Sequence, residues 1–84
     1  MVIKKITYLP EFKKEFHKLD KSLKIQVEKR IIKIIENPEI GKPLRYNLKG
    51  EREVYVRQFR LIYSLREDEL ILLKFRHKDE AGES

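Results

Sequence analysis

The chemistry-bearing residues of this sequence are cations interleaved with rings: Lys42, Arg45, Lys49, Arg52, Arg57, Arg60 and Arg66 alternate with Tyr46, Tyr55 and Phe59. Guanidinium and ammonium groups hold phosphates, and aromatic faces stack unpaired bases, so this mixture suits single-stranded RNA. RNA scission needs little more from a protein, because the substrate's own 2′-hydroxyl is the nucleophile. Cations to stabilise charge growing on the phosphate, a base, an acid and a stacking surface suffice. His77, with an ordinary pKa near neutrality, has the right type for proton transfer.

Other chemistries have no candidates. The two histidines, His17 and His77, fall on different expected elements, and no carboxylate is spaced to complete a metal site with either. The chain has no cysteine, which removes disulfides, thiolate metal sites and thiol nucleophiles together. Gly41, Gly50 and Gly82 stand alone, so no glycine-rich phosphate loop is present, and neither Ser22 nor Ser64 has a base placed by a recognisable motif. No cofactor and no metal are expected.

The elements that must position these groups come from one small domain, since 84 residues suffice for a single core and no second one. The domain is expected over 1–80, with 81–84 fraying for want of anything to pack on. The net charge of +6 points to a polyanionic partner. No apolar run approaches a membrane span or a secretory h-region, so a cytoplasmic protein without membrane association is expected.

Ile3 to Tyr8 reads as a strand that ends at Pro10, a residue suited to open a helix. Phe12, Phe16 and Leu19 then form the apolar stripe of a short helix over Pro10 to Lys18. Ser22 is the expected N-cap of a second helix, whose stripe Leu23, Val27, Ile31, Ile34 and Ile35 runs until Asn37-Pro38. From Gly41 the apolar period changes to two, marking strands near Leu44 to Leu48, Glu53 to Val56, Phe59 to Leu65 and Leu70 to His77. The fold class is α+β in the order β-α-α-β-β-β, with both helices on one face of a small, mainly antiparallel sheet.

A three-residue loop at Glu67-Asp68-Glu69 would pair Leu65 with Ile71, Tyr63 with Leu73 and Leu61 with Phe75. That register sets Arg60 across from Arg76 on the open side and His77 across from Phe59. The side chain of Arg60 is expected to meet mostly Arg76 and Lys74. Like charges placed so repel by about 0.2–1 kcal/mol, and an anion between them reverses the sign. Ile25 and Ile32 lie off the main stripe of the second helix, where they either complete the core or form a docking strip.

The segments Gly41-Lys42-Pro43-Leu44-Arg45, Leu48-Lys49-Gly50, Arg57-Gln58-Phe59-Arg60-Leu61-Ile62-Tyr63 and Phe75-Arg76-His77-Lys78-Asp79 together resemble the RelE/ParE superfamily of type II toxin–antitoxin toxins. The resemblance spans nearly the whole chain. It implies a metal-independent endoribonuclease that cuts messenger RNA on the ribosome and so inhibits translation, neutralised by a separately encoded antitoxin. By that resemblance Arg60 contacts the scissile phosphate, His77 and Lys78 supply the basic pair at the end of the last strand, and Lys49 is the lysine of the Leu-Lys-Gly turn. Arg45, Lys49, Arg52, Arg57 and Arg76 are the expected RNA contacts.

Two departures bear on activity. Glu53-Val54-Tyr55 stands where many nuclease members carry a basic-X-basic pair, and Ala81-Gly82-Glu83-Ser84 replaces the usual terminal tyrosine. Tyr55 is then the substitute stacking or proton-transfer group. The alternatives are a ParE-like toxin directed at DNA gyrase or a degenerate one, and a non-enzymatic basic RNA-binding module. The expected antitoxin is acidic and partly helical, covers Arg57 and Arg60 with Ile25 or Ile32, and provides the only route to oligomers.

Overall fold

The computed structural model describes residues 1–44 and 50–79. Strand β1 (Lys5–Tyr8) is followed by helices α1 (Pro10–His17) and α2 (Lys21–Glu36), then by strands β2 (Lys42–Pro43), β3 (Glu51–Val56), β4 (Phe59–Arg66) and β5 (Glu69–His77). The five strands form one sheet in the order β1-β5-β4-β3-β2, in which β1 runs parallel to β5 and the remaining pairs are antiparallel. This is the expected α+β architecture. Arg45, Tyr46, Lys49 and most of the expected strand over 44–48 lie outside the described residues, as does the tail expected to fray. Among the described residues, no helix is long and apolar enough to cross a membrane.

Local sequence explains the helix boundaries. Pro10 opens α1, where its missing N–H is harmless. Helix α2 begins two residues earlier than the sequence suggested, because the carboxylate of Asp20, not the hydroxyl of Ser22, caps it, accepting the Leu23 N–H at 2.8 Å. Phe12 from α1 and Val27, Ile31 and Ile34 from α2 meet Val54, Val56, Leu61, Tyr63, Leu70, Leu72 and Phe75 from the sheet in one core. Burying a large apolar side chain of this kind stabilises by about 1.5–3 kcal/mol.

The β4–β5 register follows the expectation at one end and departs from it at the other. Leu61 pairs with Phe75, Arg60 with Arg76 and Phe59 with His77, but Tyr63 pairs with Leu72 and Leu65 with Leu70. Glu67 and Asp68 alone make the turn, with Glu67 at φ 57°, and the register shifts at Ile62/Tyr63 to absorb Leu73. The cause is burial. Leu70, Leu72 and Phe75 all point into the core, and their spacing of two then three cannot be met by strict alternation. A bulge switches the phase between Leu72 and Phe75 and lets all three be buried.

One polar device ties the helical layer to the sheet. The hydroxyl of Tyr63, fully buried in β4, donates to the carbonyl of Pro38 at 2.8 Å and accepts the N–H of Gly41 at 2.9 Å. Arg52 closes the same loop from β3, donating to the carbonyls of Gly41 at 2.7 Å and Glu39 at 3.2 Å. Gly41 is required by closeness: a Cβ there would lie 2.5 Å from the Tyr63 hydroxyl oxygen and 3.0 Å from the Arg52 Cβ. Burial raises the Tyr63 pKa above its ordinary value of 10.0; the Gly41 N–H bond and the Arg52 charge oppose this, and Glu39 adds to it.

Tyr63→Phe leaves a buried donor and a buried acceptor unpaired, and is expected to cost about 1–3 kcal/mol in denaturant unfolding at neutral pH. The folded hydroxyl keeps its proton to a higher pH than the unfolded one. Its contribution is therefore complete below about pH 10 and is lost as pH rises through the folded pKa. The melting-temperature gap between the wild type and Tyr63→Phe should accordingly narrow above pH 10; a gap that stays constant would remove the clamp from the account.

Candidate nucleic-acid interface

Strand β4 is the centre of the sheet, and alternation along it sets Leu61 and Tyr63 into the core and Arg60 on the open face. Arg60 has Tyr55 of β3 and Arg76 of β5 as its cross-strand neighbours. The Arg60–Arg76 juxtaposition expected from the sequence is therefore present. The expectation that Arg60 meets mostly cations fails, because Glu53 shares its face two residues before Tyr55. The Arg60 Nε and Nη2 atoms both donate to Oε1 of Glu53, at 2.6 and 2.5 Å, with side-chain exposures of only 15% and 10%.

Arg76 also has a carboxylate, Glu11 of α1, at 3.4 Å, but both side chains are well exposed and the pair is correspondingly weak. The strands thus do not repel as expected. Each guanidinium has found a counter-charge from an element that sequence periodicity alone did not place beside it. Tyr55 is half exposed next to Arg60, and Lys74 lies across from Ile62 on β5, so Arg60 has Arg76, Lys74, the Glu53 carboxylate and one accessible ring around it on the open face. A phosphate arriving there meets a pre-placed guanidinium pair.

The other expected site residues do not all join this face. His77 follows Arg76 and therefore turns to the helix side, where its ring stands edge-on to Phe59 with centroids 5.4 Å apart. Its Nδ1 accepts the backbone N–H of Asp79 at 3.2 Å and lies 3.5 Å from the Asp79 carboxylate. Lys78 is exposed at the end of β5, and its backbone N–H donates to the Gln58 carbonyl at 2.7 Å, tying that end to the β3–β4 turn. Arg57 is exposed in the same turn at φ 57°. Arg52, expected on RNA, is on the helix side, bonded to the Glu39 and Gly41 carbonyls. Ile25 and Ile32 are 43% and 54% exposed, which resolves their alternatives in favour of a surface strip on α2.

Sequence reading missed Glu53 as the partner of Arg60. The signal was present: Arg57-Gln58 is a polar pair between two alternating runs, and a two-residue turn there sets residue 53 diagonal to residue 60. Among the described residues no cluster of His, Asp or Glu is arranged to hold a metal ion.

Residues 6–82 match the family described as the ParE toxin of the type II toxin–antitoxin system parDE. The chain belongs to this family of toxins. No curated protein sequence matches it. Among solved structures it is similar to the free form of a mutant RelE toxin of E. coli, at 16% identity and a TM-score of 0.79 over 98% of this chain and 90% of that one. It is also similar to a chain of the Mycobacterium tuberculosis toxin–antitoxin complex RelBE2, at 22% identity and 0.77 over 90% and 99%. A chain of the archaeal RelE–RelB complex from Pyrococcus horikoshii is similar at 15% and 0.73 over 93% and 97%. These likenesses carry the fold.

Removing one member of the Glu53–Arg60 pair strands the other at a poorly hydrated position. Arg60→Ala is expected to lower stability by about 1–3 kcal/mol, and adding Glu53→Ala should recover most of that loss. A double-mutant cycle in denaturant unfolding checks this; additive losses would show that the two groups do not depend on one another.

Proposed function

We propose that this toxin arrests growth by cutting messenger RNA engaged on the ribosome, with the open face around Arg60 as the site. The observation that supports the reading is the cross-strand pair Arg60 and Arg76, with Tyr55 on one flank and Glu53 in contact with the first guanidinium. Arg60 and Arg76 hold the scissile phosphate and stabilise the charge that accumulates on its oxygens. Tyr55 stacks a base, and Lys78 and Arg57 extend the phosphate track toward the end of β5. The flat sheet surface gives little orientation of its own, so a message already held by the ribosome is the suitable substrate.

Glu53 gives the site a proton acceptor. Its carboxylate takes the proton of the 2′-hydroxyl, O2′ forms a bond to phosphorus, and the bond from phosphorus to O5′ breaks. The products are a 2′,3′-cyclic phosphate and a 5′-hydroxyl whose proton comes from water, and the hydroxide so formed takes the proton back from Glu53. His77, on the opposite side of the sheet, is assigned no step. No metal and no cofactor enter the scheme.

An antitoxin of acidic, partly helical character would cover this face together with Ile25 and Ile32, supplying counter-charge to Arg57 and Arg60 and linking copies of the toxin. Support comes from the structural likeness to chains of toxin–antitoxin complexes. A soluble, cytoplasmic site of action goes with this reading. One observation favours the second reading, a gyrase-directed or degenerate toxin: Glu53 already neutralises Arg60, and the histidine expected to assist it lies on the other face.

Induction without an antitoxin should stop growth and, in primer extension on ribosome-bound messages, generate new 5′ ends. The double substitution Arg60→Gln with Glu53→Gln removes both charges together and should reduce cleavage by about a hundredfold or more while the protein stays folded. Growth arrest with intact messages and altered plasmid supercoiling would transfer the assignment to the second reading.

A further inference from the structure

The helix side of the molecule carries a second concentration of positive charge, apart from Arg60. Lys29, Arg30 and Lys33 of α2 line a groove of about 310 Å³ together with Gln26, and Val56 and Arg57 at the end of β3 complete it. Gln26, Lys29, Arg30 and Lys33 fall at i, i+3, i+4 and i+7, so they form one stripe of the helix. Among the described residues, no acidic one lines the groove. None of its four cations forms an ion pair with any described residue.

Arg57 brings the sheet's contribution to the groove. It occupies the left-handed region at φ 57°, a conformation that glycine adopts with far less strain. The two-residue turn sets that conformation, as it does at Glu67 in the β4–β5 turn, and it places the Arg57 charge at the rim of the groove. The turn that carries it joins the two strands bearing Glu53, Tyr55 and Arg60, so Arg57 stands between the groove and the open face.

We propose that this groove is a second anion site that holds the phosphodiester backbone of an RNA strand, at a place remote from the bond that is cut. It rests on the reading of RNA as the substrate. Four cations among the six described lining residues, none in an ion pair with a described carboxylate, favour RNA over a protein partner. Val56, the one apolar residue of the described lining, is 4% exposed, whereas Lys29, Lys33 and Arg57 present their charges at the surface. Phosphates are met by such charges without the apolar anchors that a protein interface needs. The exposed Ile25 and Ile32 occupy a neighbouring stripe of α2, so a strand in the groove and a protein on that strip share Arg57 and compete for it.

The test is the salt dependence of binding to a fluorescent single-stranded RNA oligonucleotide, followed by anisotropy, with Lys29→Gln/Arg30→Gln/Lys33→Gln as the variant. If three phosphates are lost, the slope of log K against log salt should become shallower by about 2. Lys29→Gln/Lys33→Gln, which keeps Arg30, should show an intermediate slope. The double substitution of Arg60 and Glu53 should abolish cleavage yet leave this component of the slope in place. An unchanged slope in the folded triple variant overturns the proposal. So does an unchanged RNA slope accompanied by weakened binding of an acidic antitoxin, which would assign the groove to a protein. If the wild type cuts no message but the triple variant still loses RNA binding, the site stands and only the nuclease reading falls.

Discussion

The hydroxyl of Tyr63 is the one polar group on which the arrangement of layers depends. It reaches from the central strand through the core to the loop between α2 and β2, where a carbonyl and an N–H would otherwise be buried without partners. An unpaired buried polar group costs more than a made hydrogen bond returns, so the loop is held at this tyrosine and at no other distance from the sheet. Gly41 permits the approach, and Arg52 spends its guanidinium on the same loop. The one cation of β3 thereby becomes part of the frame and not of the nucleic-acid face.

That frame makes β4 a two-sided element. Its core face anchors the helices through Leu61 and Tyr63, and its open face holds Arg60 against Glu53. Because period-two alternation links the faces, a slip of one residue would bury the arginine and expose the tyrosine together. The bulge near Ile62/Tyr63 keeps both assignments compatible with a β5 strand whose core residues change phase. Site and core are therefore specified by the same register.

Electrostatics divides the molecule's positive charge into two kinds. On the open face, Arg60 is held by Glu53, a geometry that fixes the guanidinium but lowers the field it presents. On the helix side, Lys29, Arg30, Lys33 and Arg57 are unpaired among the described residues and keep their full attraction for an anion. The first arrangement is suited to placing one group accurately, the second to gathering a strand from solution.

Periodicity alone determined much of this protein. The α stripes of Phe12 and of Val27, Ile31 and Ile34, the change to period two after Gly41, and the β-α-α-β-β-β order, to which the structure adds only the two-residue strand β2, follow from local spacing, because burying one face is a constraint each segment meets by itself. The juxtaposition of Arg60 with Arg76 was legible for the same reason, since Leu61 and Phe75 had to share the core. What only the tertiary structure decided concerns groups brought together across elements. Asp20 in place of Ser22 as the cap, Glu53 and Glu11 as partners of the arginines, and the turning of His77 onto Phe59 all depend on turn lengths and on a bulge that no single segment encodes. The same holds for Tyr63 at Gly41 and for Arg57 beside Lys29, Arg30 and Lys33. Alternation says which side a residue takes, while the neighbour it meets there is fixed by register and packing, which are properties of the whole sheet.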